Sequence, residues 1–151
     1  MKNYSGLFVI LAFLASCSVS KPPPSITVPG EDPDKTIVPE RTTSPAVINL
    51  LSQAREATRQ GDYDRAEVLL ERTVRIEPRN AVLWNYLAKL RLHQGRYTDA
   101  IGLAAKSSDL SAGNDRLRAE NWRIIAHARY QSGDVPGAMQ AQQKADALGA
   151  R

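Results

Sequence analysis

The residues of this chain best suited to covalent or acid–base chemistry are one cysteine, Cys17, and two histidines, His93 and His127. A single cysteine closes no disulfide within the chain and builds no thiolate metal cluster. The histidines fall in separate helix-length stretches, without the paired spacing of a His-Glu-x-x-His site. No Gly-x-Ser-x-Gly elbow and no glycine-rich phosphate loop occurs. The sequence therefore predicts a non-enzyme, with no catalytic residue, no metal, no cofactor and no small-molecule substrate. The chemistry left over is that of recognition. Guanidinium groups, amides and rings in the folded half suit carboxylates and backbone groups of another protein. The net charge of +4 is mild, and the folded half interleaves its acids and bases. Nucleic acid is not an expected partner, because no basic block tracks a phosphate backbone.

Cys17 stands at the end of an address. Lys2 gives a positive start, and Leu7 to Ala15 is an unbroken apolar run of nine residues. That length is too short for a bilayer core, which takes about 20 residues in a helix, and it suits the apolar part of a secretory signal peptide. Leu14-Ala15-Ser16-Cys17 resembles a bacterial lipobox. The resemblance implies removal of residues 1–16, acylation of Cys17 (palmitate among its chains) and a very strong anchor, since each buried methylene contributes about 0.8 kcal/mol. Ser18, where an aspartate would signal inner-membrane retention, implies the outer membrane, facing the periplasm. A plain secretory signal with a chance cysteine, or a short membrane anchor, is the other reading.

Seven of the nine prolines precede Ala46. Residues 17–44 mix six of these prolines with Ser, Thr and both signs of charge, and with little that could be buried against a core, so a disordered linker is expected. At about 3.1 Å per residue it would reach up to roughly 80 Å. A passive spacer is the plain reading; a second binding strip of Ile26, Val28, Ile37 and Val38 is the sharper one.

The positioning elements come from repetition. Gly-Asp-Tyr-Asp-Arg-Ala at Gly61 to Ala66 returns as Gly-Arg-Tyr-Thr-Asp-Ala at Gly95 to Ala100, 34 residues on, and as Gly-Asp-Val-Pro-Gly-Ala at Gly133 to Ala138, 38 residues further. Each glycine separates two helix-length stretches and marks a hairpin turn. Trp84, Leu87 and Ala88, then Trp122, Ile125 and Ala126, fall in step with them. Small residues recur at Ala54, Ala66 and Thr73, at Ala88, Ala100 and Ser107, and at Ala126, Ala138 and Ala145. Leu50, Tyr63, Leu70, Ile76, Tyr97, Leu103 and Leu110 are the expected larger fillers. The pattern resembles the tetratricopeptide-repeat (TPR) family. The expected fold is all-α, a solenoid of three helix hairpins (repeats 47–80, 81–114 and 119–151) and about six helices within residues 45–151, near the minimum that folds alone. Gln53 departs from the family pattern, as does Ala112, which stands where Pro78 does one repeat earlier. Residues 115–118 are four extra positions, read as one added turn capped by Asn114. Gln140, Gln142, Gln143 and Lys144 are read as the wet side of a last helix that caps the stack.

In the TPR family the first helices line a concave groove. The resemblance places there Ile48, Leu51, Arg55, Thr58 and Arg59; Val82, Asn85, Lys89, Leu92 and His93; and Glu120, Arg123, His127, Tyr130 and Gln131. A solvated charged face is the plain alternative. The whole plan of lipobox, proline-rich linker and compact TPR domain resembles the outer-membrane lipoprotein activators of bifunctional peptidoglycan synthases, the class A penicillin-binding proteins. The resemblance implies such a synthase as protein partner and regulation of peptidoglycan synthesis. A piloting factor for secretin or pilus assembly, and an adaptor for a periplasmic protease, remain alternatives.

Overall fold

A computed structural model describes residues 43–150; the expected signal peptide, lipidated Cys17 and nearly all of the linker lie outside them. Six helices follow in order: α1 Pro45–Arg59, α2 Tyr63–Ile76, α3 Ala81–His93, α4 Tyr97–Leu110, α5 Asp115–Gln131 and α6 Val135–Gly149. No strand occurs among the described residues.

Local chemistry sets each boundary. Ser44, Asp62, Asn80, Asn114 and Asp134 accept from free backbone N–H groups at the starts of α1, α2, α3, α5 and α6, satisfying donors that a helix start leaves unpaired. Arg96 holds the same place before α4 and has no acceptor to offer; its guanidinium turns instead to Asp99. Gly61, Gly95 and Gly133 have φ of 76°, 72° and 84°, the left-handed region that reverses the chain within each hairpin and that a Cβ disfavours.

The helices pair as α1 with α2, α3 with α4 and α5 with α6, and each hairpin packs on the next. All nine small residues singled out from the sequence are buried, none above 1 % exposed, so the helices meet at close range there. Val47, Leu51, Leu70, Leu83, Leu87 and Leu90 fill the space between the first two hairpins. Ile124, Ile125, Ala128 and Ala141 do so between the second and third.

The four-residue insertion behaves as expected. α5 has 17 residues against 13 in α3, and Asn114 Oδ1 accepts from Leu117 N at 3.0 Å. The added turn also brings Leu117 onto Ala81 and Val82 as a small separate core. A fourth left-handed glycine, Gly113 at φ 81°, makes the turn before it.

Several packing expectations need correction. Tyr63 and Ile76 are not fillers: they are 37 % and 46 % exposed. Gln142 does not face water but is buried with Ala138, Ala141 and Ala145, its amide donating to Asp146 Oδ1 at 2.9 Å. The polar Gln53 is explained by its place on the open side of α1, where it is exposed and bonds to Asn49.

Candidate protein-binding groove

The first helix of each hairpin, α1, α3 and α5, carries the side chains assigned to the groove. Their regular i, i+3, i+4 spacing leaves one face for the second helices and another for the groove.

At the centre, Glu120 of α5 lies between two cations. Lys89 Nζ, on α3, is 3.0 Å from Glu120 Oε1, and Arg123 is 3.5 Å from Glu120 Oε2. All three are partly exposed, with side-chain accessibilities of 27 %, 29 % and 18 % for Lys89, Arg123 and Glu120. The carboxylate thus holds the two cations side by side at the junction of two repeats. At the α1 end, Arg59 is exposed and paired with Glu56 one turn back. That pairing, first the hydrogen bond from Arg59 and then the one from Gln60, lowers the Glu56 pKa. Arg55 is half-buried and engaged.

Rings lie along the same face. Tyr130 is 43 % exposed. His93 stacks flat on Tyr63, with centroids 6.5 Å apart and an angle of 6° between the planes. His127 is half-buried, and its Nε2 is 3.2 Å from the Gln131 amide nitrogen. Its pKa is lowered, first by burial and then by the charge of His93. The neutral ring is favoured there, since burial disfavours the imidazolium. Among the described residues, no group of three His, Cys, Asp or Glu side chains could hold a metal ion.

Three expected groove positions are closed. Asn85 is 1 % exposed, and its Nδ2 donates to Asn121 Oδ1 at 2.8 Å; its amide is spent inside the fold and is not offered to a partner. Val82 is covered by Leu117 of the added turn, and Leu51 is absorbed into the core between the first two hairpins. Glu120, by contrast, is more central than its place in the sequence pattern suggested. Asn121 and Ser107, which complete the buried network, were missed as a polar unit. The available signal was an amide, Asn121, at the place in α5 that the apolar Leu83 holds in α3, 38 residues earlier. The structure leaves Arg55, Arg59, Lys89, His93, Arg123, His127 and Tyr130 with some or full access to solvent.

Comparison with known proteins agrees with this architecture. A tetratricopeptide-repeat family model matches residues 51–115. The globular C-terminal domain of LpoP from P. aeruginosa is 36 % identical, with a TM-score of 0.67, over 68 % of this chain and 97 % of that one. The N-terminal domain of stress-induced protein-1 from C. elegans has a TM-score of 0.65 at 16 % identity, covering 71 % of this chain and 87 % of that one, and so shares the fold. No curated protein matches the sequence. The fold is that of a protein-interaction domain. The chain belongs to the tetratricopeptide-repeat family, and within that family it resembles LpoP.

Proposed function

We propose that this chain is a lipoprotein of the outer membrane, held by acyl chains on Cys17, whose TPR domain crosses the periplasm on its linker and activates a class A penicillin-binding protein by direct contact. It performs no catalysis of its own. The observation that carries the reading is the 36 % identity to the LpoP C-terminal domain along nearly all of that domain, in a chain that opens with a lipobox-like Leu14-Ala15-Ser16-Cys17. The architecture resembles that of outer-membrane synthase activators. Among the described residues no helix is long and apolar enough to cross a membrane, so in this reading the acylated cysteine supplies the attachment.

The groove chemistry fits a protein segment bearing carboxylates and backbone carbonyls. Lys89 and Arg123 present cations, Tyr130 gives an aromatic contact, and the half-buried His127 adds a neutral ring. The proposed site is Arg55, Arg59, Lys89, His93, Arg123, His127 and Tyr130, without Asn85.

The test is crosslinking in cells from photoreactive residues placed at Lys89 and Tyr130, with one at the outer position Lys106 as control. Capture of a class A penicillin-binding protein from the groove positions, together with faster glycan polymerisation when the purified chain is added to that synthase, is the expected result. Capture of a secretin or pilus subunit, or of a periplasmic protease, would replace the synthase by one of those partners. A Cys17→Ser chain that still matures and fractionates with the outer membrane would remove the lipid anchor from the account.

A further inference from the structure

The outer face of α2 carries a stripe that the groove does not use. Arg65, Val68, Arg72, Arg75 and Ile76 follow the spacing that puts residues on one side of a helix, and all five are exposed. Val68 at 67 % is the most exposed of the large apolar residues described. Arg79, in the turn that follows, is exposed as well. Arg75 is within 3.7 Å of Glu71, which also serves Arg91; among the described residues Arg65, Arg72 and Arg79 form no ion pair. Four arginines around two bare aliphatic side chains make a face complementary to an acidic segment with apolar residues beside its charges.

The main chain enters the folded domain at the end of that same helix. Ser44 N donates to Glu77 Oε1 at 2.7 Å, and Asn80 Nδ2 donates to Glu77 Oε2 at 2.8 Å and to Thr43 Oγ1 at 3.3 Å. Thr43 is buried there. The chain preceding it consequently starts beside Ile76 and Arg79. Within the preceding twelve residues stand Glu31, Asp32, Asp34 and Glu40 against Lys35 and Arg41, with Ile37 and Val38 between. Twelve residues span up to roughly 40 Å, while the 14 residues of α2 extend about 21 Å. The acidic cluster thus reaches any arginine of the stripe with slack, and covalent attachment keeps it at an effective concentration on the order of millimolar.

We infer that the segment from Glu31 to Glu40 docks on the outer face of α2, its carboxylates on Arg65, Arg72 and Arg79 and its Ile37 and Val38 on Ile76 and Val68. The contact is a clasp: docked, it holds this part of the linker against the domain and shortens the reach; released, it lengthens the linker and bares the arginines. An acidic surface meeting α2 competes with it, and salt weakens it, because exposed charges are screened beyond about 8 Å at physiological ionic strength. The inference rests on α2 and the chain entry, and stands whether or not the groove binds a synthase.

The test uses the chain from residue 17 onward with Cys17→Ser, and a nitroxide on Thr36→Cys. The label is expected to cause loss of amide signal along Arg65–Ile76 and to leave α6 unaffected. Reversing the acids (Glu31→Lys, Asp32→Lys and Asp34→Lys together) should abolish the loss, as should Arg65→Glu with Arg72→Glu; combining the two reversals should restore it. Equal signal loss on α2 and α6, or loss that survives either reversal, overturns the clasp. Phosphatidylglycerol vesicles form a second arm: α2 amides that respond to vesicles and not to the label would make the stripe a membrane-facing surface and overturn it equally.

Discussion

Asn85 Nδ2 meets Asn121 Oδ1 at 2.8 Å, between side chains that are 1 % and 0 % exposed. The line continues from Asn121 Nδ2 to Ser107 Oγ, and from Ser107 Oγ to the carbonyl of Ala81, each at 2.8 Å. Three helices, α3, α4 and α5, are thereby tied together by buried polar groups that bond to one another. Such networks are directional where apolar packing is not, and half-satisfied they are costly. Asn85→Ala should therefore destabilise the domain by about 1–3 kcal/mol, the usual penalty for stranding a buried partner, while a double Asn85→Leu, Asn121→Leu variant should lose less than the sum of the single changes. Urea unfolding of Asn85→Ala, of Asn85→Leu and Asn121→Leu alone, and of the double variant measures this. Additive losses would mean that the two amides act separately.

That network also shows what the sequence conceals. The nine small residues were legible because close helix approach demands little volume at fixed repeat positions, and Ala54, Ala66, Ala88, Ala100, Ala126, Ala138 and Ala145 repeat in step. The hairpin glycines were legible for the same reason. Groove membership was harder to read. Repeat position says which way a residue points, but not what lies on top of it, and the added turn that brings Leu117 over Val82 belongs to this chain rather than to the pattern. Asn85 looked available because an amide is polar; only the location of Asn121 and Ser107 reveals that its donor is already used. Ile76 carries a filler residue type at a position left exposed, and Tyr63 meets the next hairpin only through the ring of His93.

The Lys89–Glu120–Arg123 bridge sits near the surface, so it contributes little to folding, about 0–1 kcal/mol. In the proposed groove it sets two cations side by side where a ligand would meet them. Lys89→Ala and Arg123→Ala should each weaken partner binding by about tenfold, equivalent to about 1.4 kcal/mol, with unfolding midpoints nearly unchanged. Glu120→Gln releases both cations and should tighten binding of an acidic segment. Titration calorimetry on the synthase and these three variants decides it; unchanged affinities in all three would remove this cluster from the contact surface.

Acid should loosen the start of the domain. Burial pushes the Glu77 carboxyl upward as the largest single influence, but the Ser44 N–H, the Asn80 amide and the Ser44 hydroxyl together hold it below its ordinary value of 4.5. Glu67 is lowered as well, first by its hydrogen bond from Arg91 and then by the one from Gln94, against the opposing effect of burial. Depressed carboxylate pKa values mean that the unfolded chain binds more protons over this range. Their stabilisation is complete above about pH 4.5 and is lost as pH falls through the folded-state values. Wild-type unfolding midpoints should drop over that window. Glu77→Gln should already be less stable at neutral pH and should show a shallower drop. An equal slope in both proteins would place the acid sensitivity elsewhere.

Reach provides the last test, and it separates the linker's length from its side chains. Deleting residues 18–30 keeps the segment from Glu31 onward, and with it the proposed α2 contact, while removing about 40 Å of span at polyproline spacing. Among the described residues the core is built within α1 to α6, so thermal unfolding and binding of the purified partner are expected to match the full-length chain. In cells the short form should behave as a null if the proposed function holds, because a domain anchored in the outer membrane would no longer meet a synthase in the inner one. Thirteen residues of different proline-rich sequence inserted at the same place should restore activity. Failure of such an insertion while the native sequence succeeds would show that Ile26 and Val28 bind something themselves. Full activity from the short form would place the partner at the outer membrane, as a piloting role requires, and would end the synthase reading even with the groove and the α2 contact intact.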